Sequence, residues 1–203
     1  RTALRSIVAQ FRSDPILMPS QDIILSNIRP EHREVITATL RAHHVRLAED
    51  LLPAERWALA CPALPTCGLA LTEAERVRDD IVAQIQQRLA RYGLAQERLS
   101  IRITGCPNGC ARPYTGDIGI VGRMPGYYAL FVGGDFEGTR LNTDLIDKVA
   151  LDAIGETLDP LFALFAAARS AQEGFGDFCH RIGLPALQQA LSRPSEARRH
   201  AAD

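Results

Sequence analysis

At 203 residues the chain has room for one large domain, or for one domain plus part of another, and its 46% hydrophobic and 23% charged residues are ordinary for a globular protein. A net charge of −1 excludes a global field that would draw it to nucleic acid or to a membrane surface. No apolar run reaches the roughly 18 residues that a membrane span needs.

The opening, Arg1-Thr2-Ala3-Leu4-Arg5, has no initiator Met and no secretory pattern. It reads as if cut from mid-helix, so a fragment of a cytoplasmic protein is expected. Residues 1–12 put Leu4, Ile7, Val8 and Phe11 on one helical face. The apolar stretch 16–28 contains a strand-like Asp22-Ile23-Ile24-Leu25, and Asn27 and Pro30 suit the start of a second helix over about 30–43. Helix, strand and helix in this order look like part of an α+β unit missing its first strand.

A second region begins near Leu51-Leu52-Pro53. Thr72 and Glu75 have the T-x-x-E spacing of a capping box, and Val77, Ile81, Ile85 and Leu89 then recur every four residues. This predicts an amphipathic helix over about 72–92, stopped at Tyr92-Gly93. Leu99, Ile101 and Ile103 alternate with Ser100, Arg102 and Thr104, as in a half-buried strand. Residues 118–121 and 127–132 read as two further strands joined by a turn at Met124-Pro125-Gly126. Thr157 is expected to open a helix with Leu158, Leu161, Phe162 and Phe165 on its apolar face, and a short helix is expected after Pro185. The charged end from Arg193 predicts a disordered tail over 193–203. No repeat recurs at periods of 20 to 50 residues.

The chemistry concentrates in the cysteines. Cys61 and Cys67 frame Cys-Pro-Ala-Leu-Pro-Thr-Cys, a C-x5-C pair, and Cys106 and Cys110 frame Cys-Pro-Asn-Gly-Cys, a C-x3-C pair. In a cytosolic chain such clusters are more often metal ligands than disulfides. Both pairs fall in loops, the first ahead of a helix and the second after a strand. Proline restricts each loop, while glycine permits sharp turns against a bulky inorganic centre. Thiolates suit soft centres, either an iron–sulfur cluster or zinc. Zinc knuckles use C-x2–4-C spacings, so C-x5-C favours a cluster. Zinc, or four reduced cysteines with no metal, stay open as alternatives at this point.

These segments resemble a known family. Cys-Pro-Ala-Leu-Pro-Thr-Cys-Gly-Leu-Ala, Thr-Gly-Cys-Pro-Asn-Gly-Cys-Ala-Arg and Glu-Gly-Phe-Gly-Asp-Phe, with 38 residues between Cys67 and Cys106, are similar to the assimilatory sulfite reductase hemoproteins. The likeness runs to about Leu191. It implies an α+β fold, a partial ferredoxin-like half-domain (1–49) followed by the nitrite/sulfite reductase 4Fe-4S domain (50–192). It implies a [4Fe–4S] cluster on Cys61, Cys67, Cys106 and Cys110, with the Cys110 thiolate also binding the sirohaem iron. The activity implied is six-electron reduction of sulfite to hydrogen sulfide in sulfur assimilation, with electrons from ferredoxin or an NADPH-dependent flavoprotein. Nitrite reduction to ammonium is the alternative on the same cofactors, and a non-catalytic metal-binding module the alternative of another class. The Leu-Pro-Thr stretch and Gly109 favour sulfite. In this family an N-terminal half of comparable size supplies most of the groups that grip substrate. Catalytic residues are therefore expected mostly in that half, which would be a partner of this chain.

The remaining candidates each have a plainer reading. Asn108 can reach the cofactor or simply tolerate a turn. Arg112 can pair with a sirohaem carboxylate or lie free on the surface. Gln21 matches a glutamine that enters a strand near the cofactor in the family, or is loop polarity. Gly105 and Gly109 serve close backbone approach. Arg123 and Arg140, near glycine-rich turns, are weaker cofactor candidates. Cys179 is read as a small buried hydrophobe and not as a dyad with His180, because neighbours on a strand face opposite ways. His43 and His44 are read as exposed. Phe175-Gly176-Asp177-Phe178 is read as packing around a turn.

Overall fold

A computed structural model describes residues 1–192, so the tail expected over 193–203 lies outside the described residues. The chain forms two compact units, Arg1–Leu52 and Pro53 onward.

In the first unit, helix α1 (Thr2–Phe11) and helix α2 (Arg33–Ala42) bury Ala3, Ile7, Ile36 and Leu40 against one another. Between them β1 (Asp14–Leu17) and β2 (Ile23–Ser26) form an antiparallel hairpin. The strand expected near 22–25 is present, and its partner at Asp14–Leu17 is an addition. The helix expected from 30 starts as a single tight turn at Pro30–His32 and becomes α-helical at Arg33. Proline suits such a first turn, because its missing N–H has no intrahelical partner there.

The second unit begins with a single turn, α3 (Pro53–Arg56), and a two-residue strand β3 (Leu59–Ala60). Helix α4 (Arg78–Arg91) then leads to β4 (Ile101–Thr104). After a long loop come β5 (Ile118–Met124), β6 (Tyr127–Val132) and β7 (Thr143–Ala150). They form one sheet in the order β3-β4-β5-β6-β7, in which β3, β4 and β5 run parallel and β5, β6 and β7 form an antiparallel meander. Helices α5 (Ile154–Ala168), α6 (Phe175–Ile182) and α7 (Leu184–Ser192) complete the unit. Ile81, Ile85 and Leu89 of α4 and Leu158, Phe162 and Phe165 of α5 join Ile101, Ile103, Ile118, Ile120 and Leu130 of the sheet in one core.

Four expectations are corrected. Helix α4 starts at Arg78, not at 72, and the capping box does not form. Thr72 donates instead to the Tyr128 hydroxyl at 3.2 Å and accepts from the Gly126 N–H at 3.1 Å, so a tertiary partner outcompetes the local cap. Strand β4 is not half-buried: Ser100 and Thr104 are 1% and 0% exposed, because parallel neighbours flank β4 and the loop before β5 covers its second face. Helix α5 begins at Ile154, three residues before Thr157, where the Gln84 side chain of α4 accepts from the Gly155 N–H at 3.0 Å. Residues 175–182 form a helix, neither turn nor strand. Phe175, Phe178 and Cys179 are buried at helical spacing, a periodicity hidden by the two glycines around Phe175.

Candidate functional site

Two adjacent parallel strands send their C-terminal ends to the same edge of a sheet, where ligands of such sheets usually bind. Cys61 directly follows β3 and Cys106 follows β4 by two residues, so this topology brings the two cysteine loops together. The ladder continues past the strands: the Cys61 N–H donates to Ile103 O at 3.1 Å. The Gly105 N–H then donates to Cys61 Sγ at 3.4 Å. The Gly105 carbonyl accepts from the N–H groups of Leu71 and Thr72 at 2.8 and 3.1 Å, tying the exit of the first loop to the second. A Cβ on Gly105 would lie 2.6 Å from both Ala63 Cβ and the Thr72 carbonyl, so only glycine permits this approach.

Within the first loop the Cys67 N–H donates to Ala63 O at 2.7 Å, and Arg76 donates to Leu64 O at 2.5 Å. Thr72 anchors the far side through Tyr128, whose buried hydroxyl donates to Glu73 O at 2.8 Å. In the second loop Gly109 has φ +71° and packs under the Tyr114 ring, whose hydroxyl donates to Pro107 O at 2.9 Å. Cysteine loops on both strands are thus fixed by backbone contacts before any centre is bound.

The four thiols differ in exposure. Cys106 is buried, Cys61 and Cys67 are half-buried, and Cys110 is exposed. Burial pushes the Cys61 thiol up, the Gly105 and Ala63 N–H groups pull it back, and the nearby charges of Cys110 and Cys106 raise it further. Burial disfavours the charged form of this thiol, while the N–H donated to its sulfur favours it. Among the described residues no three His, Cys, Asp or Glu side chains lie close enough to hold a single metal ion. A four-iron cubane instead takes each thiolate on a different iron.

The other candidates are dispersed. Asn108 is exposed at the tip of the second loop, and Arg112, also exposed, takes a left-handed conformation (φ 55°) two residues past Cys110. Gln21 lies in the β1–β2 turn of the first unit, where its N–H donates to Met18 O at 3.0 Å. Arg123 pairs with Asp147 at 3.0 Å. Arg140 donates to the carbonyls of Gly133 and Gly134 at 2.9 Å each and to Asp177 at 2.7 Å, so it straps a loop to α6. Cys179 is 2% exposed, with its thiol pushed up by burial, as expected of an inert hydrophobe. His43 and His44 are exposed. Sequence reasoning missed the clamp of Thr72, Arg76 and Tyr128. Thr72 carried a signal, a capping threonine, that pointed to a different role.

The family described as "Nitrite and sulphite reductase 4Fe-4S domain" matches residues 54–198. The chain is 43% identical over 189 residues to "Sulfite reductase [ferredoxin]" of Synechococcus elongatus, covering 93% of this chain and 30% of that protein. It is 43% identical over 194 residues to "Sulfite reductase [NADPH] hemoprotein beta-component" of Myxococcus xanthus, covering 96% of this chain and 34% of that one. The chain therefore spans about a third of the length of these relatives. The fold matches the structure of the Mycobacterium tuberculosis NirA protein with a TM-score of 0.79 at 25% identity, over 92% of this chain and 36% of that one. The cofactors that go with such proteins are a [4Fe–4S] cluster and sirohaem. The chain belongs to the nitrite and sulphite reductase 4Fe-4S domain family.

Proposed function

We propose that this chain is the cluster-bearing part of a sirohaem sulfite reductase, and that Cys61, Cys67, Cys106 and Cys110 hold its [4Fe–4S] cluster. The observation that carries the reading is the meeting of a C-x5-C and a C-x3-C loop at one edge of a parallel β3–β4 pair, locked by Gly105. Cys110 is the exposed thiol of the four, which suits a residue that would hold the sirohaem as well as the cluster. When bound, the coupled cofactors would relay six electrons, one or a few at a time, from an external donor to sulfite, which with protons would become hydrogen sulfide and water. This chain's part is to fix the thiolates, shield one side of the centre with buried Cys106, and leave the Cys110 side open. Asn108 and Arg112 flank that open side in sequence and are proposed to contact the macrocycle.

Sulfite as substrate is supported by relatives that are named sulfite reductases, some for ferredoxin and some for NADPH. The residues that grip sulfite are assigned to the rest of the parent protein, and so is the choice of electron donor. A cytoplasmic location goes with this reading. Among the described residues, no helix is long and apolar enough to cross a membrane.

Anaerobic reconstitution tests the ligand set. About four irons per chain are expected, and serine at any one of the four positions should lower that content while Cys179→Ala leaves it unchanged. One zinc per chain and no visible colour would overturn the cluster. Sulfite against nitrite turnover by the parent protein tests the substrate.

A further inference from the structure

Strand β4 turns Ile101 and Ile103 into the core and Arg102 to the opposite face, where it stands in register with Gly119 of β5. The loop after Cys110 lies directly on that face. A Cβ on Gly119 would sit 2.2 Å from the Pro113 carbonyl, and a Cβ on Gly116 would sit 2.7 Å from Arg102 Cγ. The stem of Arg102 therefore runs beneath residues 113–116, and Arg112 enters that same loop.

Among the described residues neither guanidinium has a hydrogen-bond partner, and only the charge of Asp117 favours that of Arg102. Arg102 Nε is sealed from solvent with no hydrogen-bond partner among the described residues. Neither Arg102 nor Arg112 forms an ion pair among them. The nearby carboxylate, Asp117, is already engaged: it accepts from the Ser100 N–H and hydroxyl at 2.8 and 2.6 Å and from the Gly176 N–H at 3.0 Å. Burial, and then the charge of Arg112, push the Arg102 guanidinium below its ordinary value against a smaller opposing pull from Asp117. Two like charges, one of them half-buried with an orphaned donor, call for an anion between them.

We infer that Arg102 and Arg112 form an oxyanion site beneath the loop that follows Cys110, and that its occupant is a carboxylate on the rim of the sirohaem. The inference rests on the proposed function for its occupant, but not for the site itself. A rim carboxylate offers two oxygens to forked guanidinium donors, and a free inorganic oxyanion such as sulfate offers the same chemistry.

The test titrates sirohaem, followed by its absorbance, and separately sulfate, followed by melting temperature at constant ionic strength. The proteins are the cluster-reconstituted wild-type chain, Arg102→Gln, Arg102→Lys and Arg112→Gln. Iron content, measured on every sample, reports the cysteine ligands independently. With iron unchanged, Arg102→Gln and Arg112→Gln are each expected to weaken sirohaem binding by about 10- to 100-fold, the range for a lost charge-assisted contact. Arg102→Lys should recover part of the loss, and sulfate should compete in the wild type but not in Arg102→Gln. Sulfate stabilisation that depends on both arginines, with sirohaem binding indifferent to them, overturns the macrocycle as occupant. Binding of both probes equal to wild type in Arg102→Gln overturns the site. A wild-type chain that lacks iron, yet binds sulfate through Arg102, sinks the ligand assignment and leaves the site standing.

Discussion

Tyr128→Phe isolates the anchor of the first cysteine loop. The ring of Tyr128 is 0% exposed, and phenylalanine keeps its volume, so no cavity opens. What disappears is one hydroxyl that donates to Glu73 O at 2.8 Å and accepts from Thr72 Oγ1 at 3.2 Å. Thr72 in turn accepts from the Gly126 N–H, and its own N–H donates to Gly105 O. Removing the hydroxyl leaves the part-buried Glu73 carbonyl without this donor and the Thr72 hydroxyl proton without its acceptor, while Thr72 Oγ1 still accepts from the Gly126 N–H. Buried unsatisfied groups cost about 1–3 kcal/mol. For a domain of this size each kcal/mol lowers the melting temperature by about 2–4 °C, which puts the expected drop at roughly 2–12 °C. Because Thr72 and Gly105 join the two cysteine loops, the variant should also release iron to a chelator faster than wild type. In a cycle with Thr72→Val, the double variant should lose less than the sum of the single losses by about 0.5–1.5 kcal/mol, the energy of the shared bond. A Tyr128→Phe chain that melts within about 1 °C of wild type and releases iron at the wild-type rate would refute the reasoning.

Gly105→Ala places a Cβ 2.6 Å from both Ala63 Cβ and the Thr72 carbonyl, so the loops must separate; a cost of about 1–3 kcal/mol and a reduced iron content are expected on reconstitution. Cys179→Ala removes a sulfur from the core and should cost on the order of 1 kcal/mol in denaturant unfolding, with iron content at the wild-type level. Glu173 accepts from Arg181 at 2.6 and 2.7 Å, which holds its carboxyl down at about 2 against an ordinary 4.5. Its native pKa lies below the unfolded one, so the stabilisation is present above pH 4.5 and is lost as pH falls toward 2. The pair is partly solvated and screened, so Glu173→Gln should flatten acid unfolding across that window only slightly, read as a small change in the acid midpoint.

The cysteine motifs were more legible than the fold that presents them. Cysteine spacing is written in the chain, and the family likeness made the four thiols a set before any geometry was known. The reason the two cysteine loops meet at one sheet edge was not written there. Strand β3 is only Leu59–Ala60, too short to leave an alternation, and it forms because β4 offers it a parallel edge. The sequence around β7, Thr143–Ala150, alternates poorly, with its burial set by pairing to β6 through two register shifts. Thr72 shows the same priority of tertiary over local forces. Its spacing to Glu75 satisfies a helix cap, yet its hydroxyl is spent on Tyr128, 56 residues away, and the helix waits until Arg78. Arg102 escaped notice for a related reason. On a half-buried strand an arginine between two isoleucines reads as solvent-facing, and only the loop over Gly116 and Gly119 turns it into a half-buried cation. A loop covers this face because the cysteines sit at the strand ends. The segment that leaves Cys110 has to turn back across β4 to start β5 parallel to it, and Arg112 at the turn and Arg102 beneath it are brought together by that return.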